Sequence, residues 1–159
     1  MTRVGVTGHR GLDETTTALI DSTIRSALRG YAGPQLVGVT CLADGADTIF
    51  ARATLDLGGS IEAIIPASTY REGLPTEHHA TYDSLLNQAT AIHRLDREES
   101  DSEAHMAASV RMIDIVSELI AVWDGKPARG YGGTADVVSV ARERGVPVQI
   151  VWPDGATRD

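Results

Sequence analysis

The chain has 159 residues, with 14 lysines and arginines against 22 aspartates and glutamates, and a net charge of −8 at neutral pH. Its length suits a single domain, and a hydrophobic share of 42% excludes general disorder. No apolar run approaches the roughly 20 residues of a membrane span. The acidic balance also argues against a general nucleic-acid binder, because neutralising phosphates needs a basic surface.

The N-terminal residues and the cysteine content bear on where the protein acts. Met1 to Val6 lead directly into a strand pattern and lack the features of a signal peptide. Cys41 is the only cysteine, which excludes an internal disulfide and fits a reducing compartment. We therefore expect a cytoplasmic protein that does not associate with membranes.

Six short apolar runs predict the strands of a sheet. They are apolar nearly throughout rather than alternating, which is typical of parallel strands covered by helices on both faces. The runs span residues 3–7, 36–40, 61–65, 91–95, 119–123 and 146–152.

Longer amphipathic runs separate the strands and predict helices. Asp13 can cap the first, which Gly30 can end, and Asp44 with Asp47 resembles a capping box for the second. Further helices are predicted near residues 82–88 and over 103–116 and 134–144. This alternation predicts an α/β fold, a single doubly wound Rossmann-like domain with a mainly parallel sheet of about six strands flanked by helices.

One domain accounts for the predicted elements. We assign residues 1–152 to this domain and residues 153–159 to a flexible C-terminal tail. Residues 66–79 hold prolines, a glycine and several polar residues, and they predict a loop that leads into a helix.

Glycine-bearing segments follow three of the predicted strands, at residues 8–11, 41–47 and 124–136. In a doubly wound sheet, ligands bind at the carboxyl ends of the strands, near the point where the strand order reverses. Backbone N–H groups at the start of a helix bind phosphate there. The predicted ligand or phosphate-binding residues are Gly8, His9, Arg10, Gly45, Asp47, Asp124, Gly125, Gly132, Gly133 and Thr134.

Several of these residues also have a purely structural interpretation. Arg10 could clamp a phosphate bidentately or lie on a surface turn, and His9 could cap a neighbouring helix. The alternative role of Asp47 is in the capping box, and Asp124 and Gly125 could simply form a turn.

Common nucleotide, hydrolase and metal motifs are absent from the sequence. It contains no G-x-G-x-x-G, no G-x-x-x-x-G-K-[ST] and no G-x-S-x-G. The run Glu77-His78-His79 lacks the spacing of H-E-x-x-H. We therefore expect neither a metal centre nor a cofactor.

Four motifs in chain order resemble the SLOG superfamily, which includes the DNA-processing protein DprA, YpsA-like proteins and the Lonely Guy phosphoribohydrolases. They lie at residues 5–10, 42–47, 111–125 and 132–136. The resemblance implies a Rossmann-like fold that binds a nucleotide or a nucleotide-derived small molecule. It also implies a homo-oligomer, either a dimer or a larger assembly.

The phosphoribohydrolase branch is similar in two further respects. Gly133-Thr134 matches its G-T pair, and Arg111 matches the arginine on its preceding helix. Val137 stands where the branch has a glutamate, and Asp136 is the nearest acid. If this activity were present, the resemblance would make Arg111 and Asp136 the catalytic residues.

The resemblance leaves three functions to compare. A sensor would bind a nucleotide-like ligand without converting it, and this is the interpretation we favour. A phosphoribohydrolase would cleave the N-glycosidic bond of a nucleoside 5′-monophosphate. Single-stranded DNA binding, as in DprA, is disfavoured by the charge of −8.

Overall fold

The computed structural model describes residues 1–158, and Asp159, the end of the predicted tail, lies outside the described residues. The described chain forms one sheet from strands β1 (Thr2–Gly8), β2 (Leu36–Thr40), β3 (Ser60–Ile65), β4 (Ala91–Arg94), β5 (Glu118–Val122) and β6 (Val148–Val151). The helices are α1 (Glu14–Leu28), α2 (Ala46–Asp56), α3 (His79–Gln88), α4 (Ser102–Ile115) and α5 (Thr134–Glu143). Among residues 1–158, no helix combines the length and apolarity needed to cross a membrane.

The sheet is parallel, with the strand order β4-β3-β2-β1-β5-β6. The order reverses between β1 and β5, where Gly8 lies opposite Val122. The loops that follow these two strands therefore leave the sheet side by side and open a crevice between them. The predicted fold class is confirmed.

Helices cover both faces of the sheet. On one face Ile20 and Ile24 of α1 pack with Phe50 of α2 in a buried cluster. On the other face Met112 of α4 and Val137 of α5 belong to a second buried cluster. Burying an apolar side chain of this size stabilises the fold by about 1.5–3 kcal/mol.

The first helix begins as its sequence predicts, because Asp13 Oδ1 accepts a hydrogen bond from the Thr16 N–H at 2.7 Å. The capping box predicted for α2 is wrong. The residue that precedes α2 is Gly45, with φ +83° and no capping side chain. Asp44 instead accepts hydrogen bonds from Arg10 Nε at 2.9 Å and from the backbone of the loop after β1. Because the Asp44 carboxylate pairs with Arg10 and accepts the Gly11 N–H, it is not available to cap α2.

The C-terminal residues contact the body of the domain. The Thr157 N–H donates to Thr16 Oγ1 at 2.9 Å, and the Thr157 hydroxyl donates to Asp13 Oδ2 at 3.2 Å. Arg158 Nη1 lies 3.4 Å from His9 Nε2. These contacts bring a basic side chain from the predicted tail to the carboxyl edge of the sheet.

Candidate functional site

Two adjoining cavities, which we treat as the lobes of one groove, lie at the carboxyl edge of the sheet near the ends of β1 and β5. The part that we call the outer lobe has a volume of about 390 Å³. Its lining comes from the loop after β1, the loop before α5 and the C-terminal segment. The lining residues are Thr7, Gly8, His9, Arg10, Gly11, Arg129, Gly132, Gly133, Thr134 and Arg158.

The part that we call the inner lobe is smaller, at about 100 Å³, and lies between the loop after β2 and helix α4. It shares the lining residues Thr7, Gly8 and Arg10 with the outer lobe, so the two lobes adjoin at these residues. The inner lobe is lined by Val6, Thr7, Gly8, Arg10, Cys41, Ala43, Asp47, Pro66, Tyr70, His105, Ser109 and Met112.

Gly8 lies on the border between the two lobes for a steric reason. A Cβ atom at this position would lie 2.6 Å from the Cβ atoms of both Ala46 and Val122. Glycine therefore allows the start of α2 and the end of β5 to approach the same point of β1. The bare backbone of Gly8 forms part of the wall of both lobes.

The glycine loop before α5 is held by its own hydrogen bonds. The Gly132 N–H donates to Asp136 Oδ2 at 2.9 Å, and the Gly133 N–H donates within the same turn. Within residues 1–158, the N–H groups of Thr134 and Ala135 make no hydrogen bond. These two groups, at the positive end of the α5 dipole, are the donors that remain for an anion.

His9 connects the three parts of the outer lobe. Its Nε2 accepts a hydrogen bond from the Asp124 N–H at 3.1 Å, and its Nδ1 lies 3.5 Å from Thr134 Oγ1. Burial and the Arg158 guanidinium lower the pKa of His9. The Asp124 carboxylate acts in the opposite direction, since its Oδ1 lies 3.3 Å from His9 Nε2. Trp152 packs edge-on against the ring at a centroid distance of 5.5 Å.

Three guanidinium groups surround the outer lobe of this acidic chain. Arg10 is paired with Asp44, and Arg158 lies 3.7 Å from Asp124 Oδ2. Arg129 is exposed and forms no ion pair with any described residue. The lining of the outer lobe thus holds three guanidinium groups and no carboxylate, and two of the three guanidinium groups are paired with carboxylates outside the lining.

Asp47 projects a buried carboxyl toward the inner lobe. Its Oδ2 accepts a hydrogen bond from the Ala43 N–H at 3.1 Å. Burial raises the pKa of Asp47 to about 7, although the Ala43 N–H and the Arg10 guanidinium act in the opposite direction. The carboxyl therefore carries a proton for much of the time near neutral pH.

The structure brings most of the predicted site residues together. Gly8, His9, Arg10, Gly132, Gly133 and Thr134 line the outer lobe, and Asp47 lines the inner lobe. Asp124 lies behind His9, where its Oδ1 accepts a hydrogen bond from the Lys126 N–H at 3.0 Å. Its contribution is to hold the turn and the imidazole.

Besides Asp124, four predicted residues do not line either lobe. Gly45 packs against the backbone of His9 and Arg10, and a Cβ atom added at Gly125 would have no neighbouring atom within 4 Å. Arg111 is exposed on a face of α4 away from the groove, and the carboxylate of Asp136 is occupied by the loop before α5.

Several groove residues were missed by the reasoning from sequence. On α4, His105, Ser109 and Met112 have the spacing of one helical face, which could have marked that face as pocket lining. Arg129 directly precedes the glycine loop, a position that also could have been noticed. Tyr70 and Arg158 have no comparable signal, because tertiary packing alone brings them to the groove. Within the described part of the chain, no three potential metal ligands cluster.

The sequence matches no protein-family model and no curated protein. Solved structures do resemble it. DprA from Streptococcus pneumoniae has 20% identity and a TM-score of 0.69 over 98% of this chain and 52% of that chain. DprA from Helicobacter pylori has 15% identity and a TM-score of 0.70 over 98% of this chain and 68% of that chain.

A third similar structure is the molybdenum cofactor carrier protein of Chlamydomonas reinhardtii. It has 13% identity and a TM-score of 0.56, with coverage of 94% of this chain and 74% of that chain. The present chain spans about half the length of the Streptococcus protein. These likenesses at low identity concern the fold, and they agree with the four motifs in the sequence. The chain therefore shares the Rossmann-like fold of these structures.

Proposed function

We propose that the protein binds a nucleotide or a nucleotide-derived small molecule, with the phosphate in the outer lobe, and that it acts as a ligand-binding or sensor protein. The observation that carries this proposal is that Arg10, Arg129 and Arg158 line one lobe together with Thr134, the first residue of α5, whose N–H group makes no hydrogen bond within residues 1–158. Guanidinium groups and a helix N-terminus are the usual protein partners of phosphate.

Binding without conversion is favoured over phosphoribohydrolase activity. Arg111 is exposed and lines neither lobe, so it is poorly placed to hold a substrate. The Asp136 carboxylate accepts the Gly132 N–H and also lies outside the lining of the groove. The two residues that the resemblance makes catalytic are therefore not assembled around a shared substrate position.

A nucleic-acid partner is the other candidate, because the Helicobacter DprA structure concerns a single-stranded DNA binding mode. Only three arginines line the outer lobe, and the chain carries a net charge of −8. We therefore retain a small molecule as the ligand. A homo-oligomer and a cytoplasmic location remain predictions from the resemblance and the cysteine content.

Calorimetric titration of nucleoside 5′-monophosphates and of the matching unphosphorylated nucleosides tests the proposal. We expect micromolar affinity for the phosphorylated ligands, equivalent to about 8 kcal/mol, and much weaker binding of the nucleosides. Each charge-assisted hydrogen bond contributes about 1.5–3 kcal/mol. Arg129→Ala and Arg158→Ala should therefore each weaken binding by roughly one to two orders of magnitude.

Arg111→Ala is the matched control, since it removes an exposed arginine outside the groove. This variant should bind the nucleoside 5′-monophosphates with the same affinity as the unchanged protein, and no free base should accumulate in the titration mixtures. Equal affinity for nucleosides and their monophosphates would contradict phosphate binding. Release of free base that is lost in Arg111→Ala would establish the hydrolase instead.

A further inference from the structure

The residues that follow β6 cross the start of α1, and we call residues 153–158 the strap. A turn reverses the chain soon after the sheet, because the Ala156 N–H donates to the Pro153 carbonyl oxygen at 3.1 Å. Gly155 lies in this turn, and a Cβ atom added there would lie 3.3 Å from Leu19 Cδ1 of α1. The turn therefore directs the chain back along the first helix.

One buried side chain of α1 fixes the strap at Thr157. Thr16 is 0% exposed, and its Oγ1 accepts a hydrogen bond from the Thr157 N–H at 2.9 Å. The same hydroxyl donates to the Thr157 carbonyl oxygen at 3.3 Å. The Thr157 hydroxyl donates in turn to Asp13 Oδ2 at 3.2 Å, on the residue that caps α1. Both the backbone and the side chain of Thr157 are thus held by the first turn of α1.

The next residue of the strap reaches the outer lobe. Arg158 lines this lobe, with its Nη1 3.4 Å from His9 Nε2 and 3.7 Å from Asp124 Oδ2. Within residues 1–158, no other arginine or lysine forms an ion pair with Asp124. Release of the strap would remove one cation from the lobe and leave the Asp124 carboxylate without a guanidinium partner. Both changes disfavour a bound anion.

We propose that Thr16 is a positioning residue for ligand binding, which docks the strap on α1 and so holds Arg158 in the outer lobe. The proposal rests on the proposed phosphate binding in that lobe. Thr16 lines neither lobe, so its effect on the ligand passes through Thr157 and Arg158.

Thermodynamic linkage makes this coupling reciprocal. The factor by which docking of the strap strengthens ligand binding is also the factor by which the ligand strengthens docking. An anion in the outer lobe therefore stabilises the strap on α1. In a sensor, this is a conformational response that the ligand produces at a distance from its own contacts.

Calorimetric titration of adenosine 5′-monophosphate into variants of Thr16 tests the positioning role. Thr16→Val has nearly the same shape but lacks the hydroxyl, and it should bind the nucleotide about two- to tenfold more weakly, as one lost neutral hydrogen bond would give. Thr16→Ser keeps the hydroxyl and should restore the affinity. Thr15→Val, at the exposed neighbouring position, is the matched control and should bind like the unchanged protein.

A double-variant cycle distinguishes an effect through Arg158 from a general effect on the fold. In the Arg158→Ala background, Thr16→Val should cause no further loss of affinity, because the strap no longer carries the guanidinium. In the Arg129→Ala background, Thr16→Val should cause its full loss, because Arg129 is not part of the strap. A purely structural role of Thr16 would give equal losses in the two backgrounds.

Amide hydrogen exchange measures docking of the strap directly. At a saturating concentration of adenosine 5′-monophosphate, exchange in a peptide that covers the strap should slow by about tenfold in the unchanged protein. This slowing should persist in Arg129→Ala and be absent from Arg158→Ala. A peptide that covers residues 79–88, which line neither lobe, is the reference and should show no change.

The results that overturn the coupling differ from those that overturn phosphate binding. Unchanged affinity in Thr16→Val, equal losses in the two arginine backgrounds, or exchange in the strap that the nucleotide does not slow would each overturn the positioning role of Thr16. All three leave binding in the outer lobe intact. Absence of binding by every nucleoside 5′-monophosphate would instead overturn the proposed function.

Discussion

Asp47 is a carboxyl that folding transfers from water to the wall of a narrow cavity. Burial raises its pKa from an ordinary value of 3.8 to about 7, so the folded protein holds this proton more tightly than the unfolded chain. The stability associated with that proton is fully present below about pH 4 and is lost as the pH rises through about 7. The buried carboxylate of Asp47 thus destabilises the folded protein under alkaline conditions.

Asp47→Asn should therefore unfold at a higher temperature than the unchanged protein at about pH 8, with little difference at about pH 4. Each unit of pKa corresponds to about 1.4 kcal/mol, and each kcal/mol changes Tm by about 2–4 °C for a chain of this size. We expect a gain of several degrees by calorimetry. Asp154→Asn, at an exposed position, is the control and should leave the pH profile unchanged. A lower Tm for Asp47→Asn at about pH 8 would refute this account.

Among the elements, helix α2 shows how a tertiary contact decides where a helix begins. Its sequence offers Asp44 and Asp47 as a capping box, but neither carboxylate serves α2 in that way. The chain turns at Gly45, where an added Cβ would lie 2.6 Å from the His9 oxygen. The resulting packing joins the loop after β2 to the loop after β1, where the Ala46 N–H donates to the His9 carbonyl oxygen at 3.2 Å.

Gly45→Ala should be strongly destabilising, by about 2–4 kcal/mol in urea unfolding, because it combines a positive φ with a clash against backbone. Gly125→Ala provides the comparison, since Gly125 has φ +82° and no atom near its side-chain position. The free energy of unfolding of Gly125→Ala should fall only by the cost of the positive φ, about 1–2 kcal/mol. Similar losses in the two variants would show that the packing of Gly45 on His9 contributes little.

At the scale of the whole molecule, charge is distributed unevenly. The net charge is −8, yet Arg10, Arg129 and Arg158 all border the outer lobe. A phosphate that enters this lobe meets cations and helix N–H groups, while a long polyanion also meets the acidic remainder of the surface. If the proposed function holds, we expect this groove to bind a small anion more readily than an extended nucleic acid.

Fluorescence anisotropy with a labelled single-stranded oligonucleotide measures whether the protein binds an extended nucleic acid. At physiological ionic strength we expect no saturation at micromolar protein, because few phosphates can be neutralised at one time. A mononucleotide added at a concentration that fills the groove should have no effect on that signal. Saturable oligonucleotide binding that Arg129→Ala removes would contradict the prediction and favour the DNA-binding alternative.

Local pattern was sufficient to predict the elements of this protein. The six strands lie within about two residues of their apolar runs, since parallel strands buried on both faces need nearly continuous apolar sequence. The order of strands and helices then placed Gly8 and Gly133 at one edge of the sheet, as the structure shows. Hydrophobic periodicity and the positions of glycines are local properties of the sequence, so they can be identified without knowing which residues form tertiary contacts.

Tertiary packing alone decided which side chains share the groove. Arg158 and Tyr70 come from distant parts of the chain and reach the groove through the packing of the C-terminal segment and of the loop after β3. Arg111 lies on the outer face of α4, although its motif matches. The protonation of Asp47 likewise depends on burial by other elements. Distances between side chains and the local dielectric arise only when the elements pack, so no local pattern encodes them.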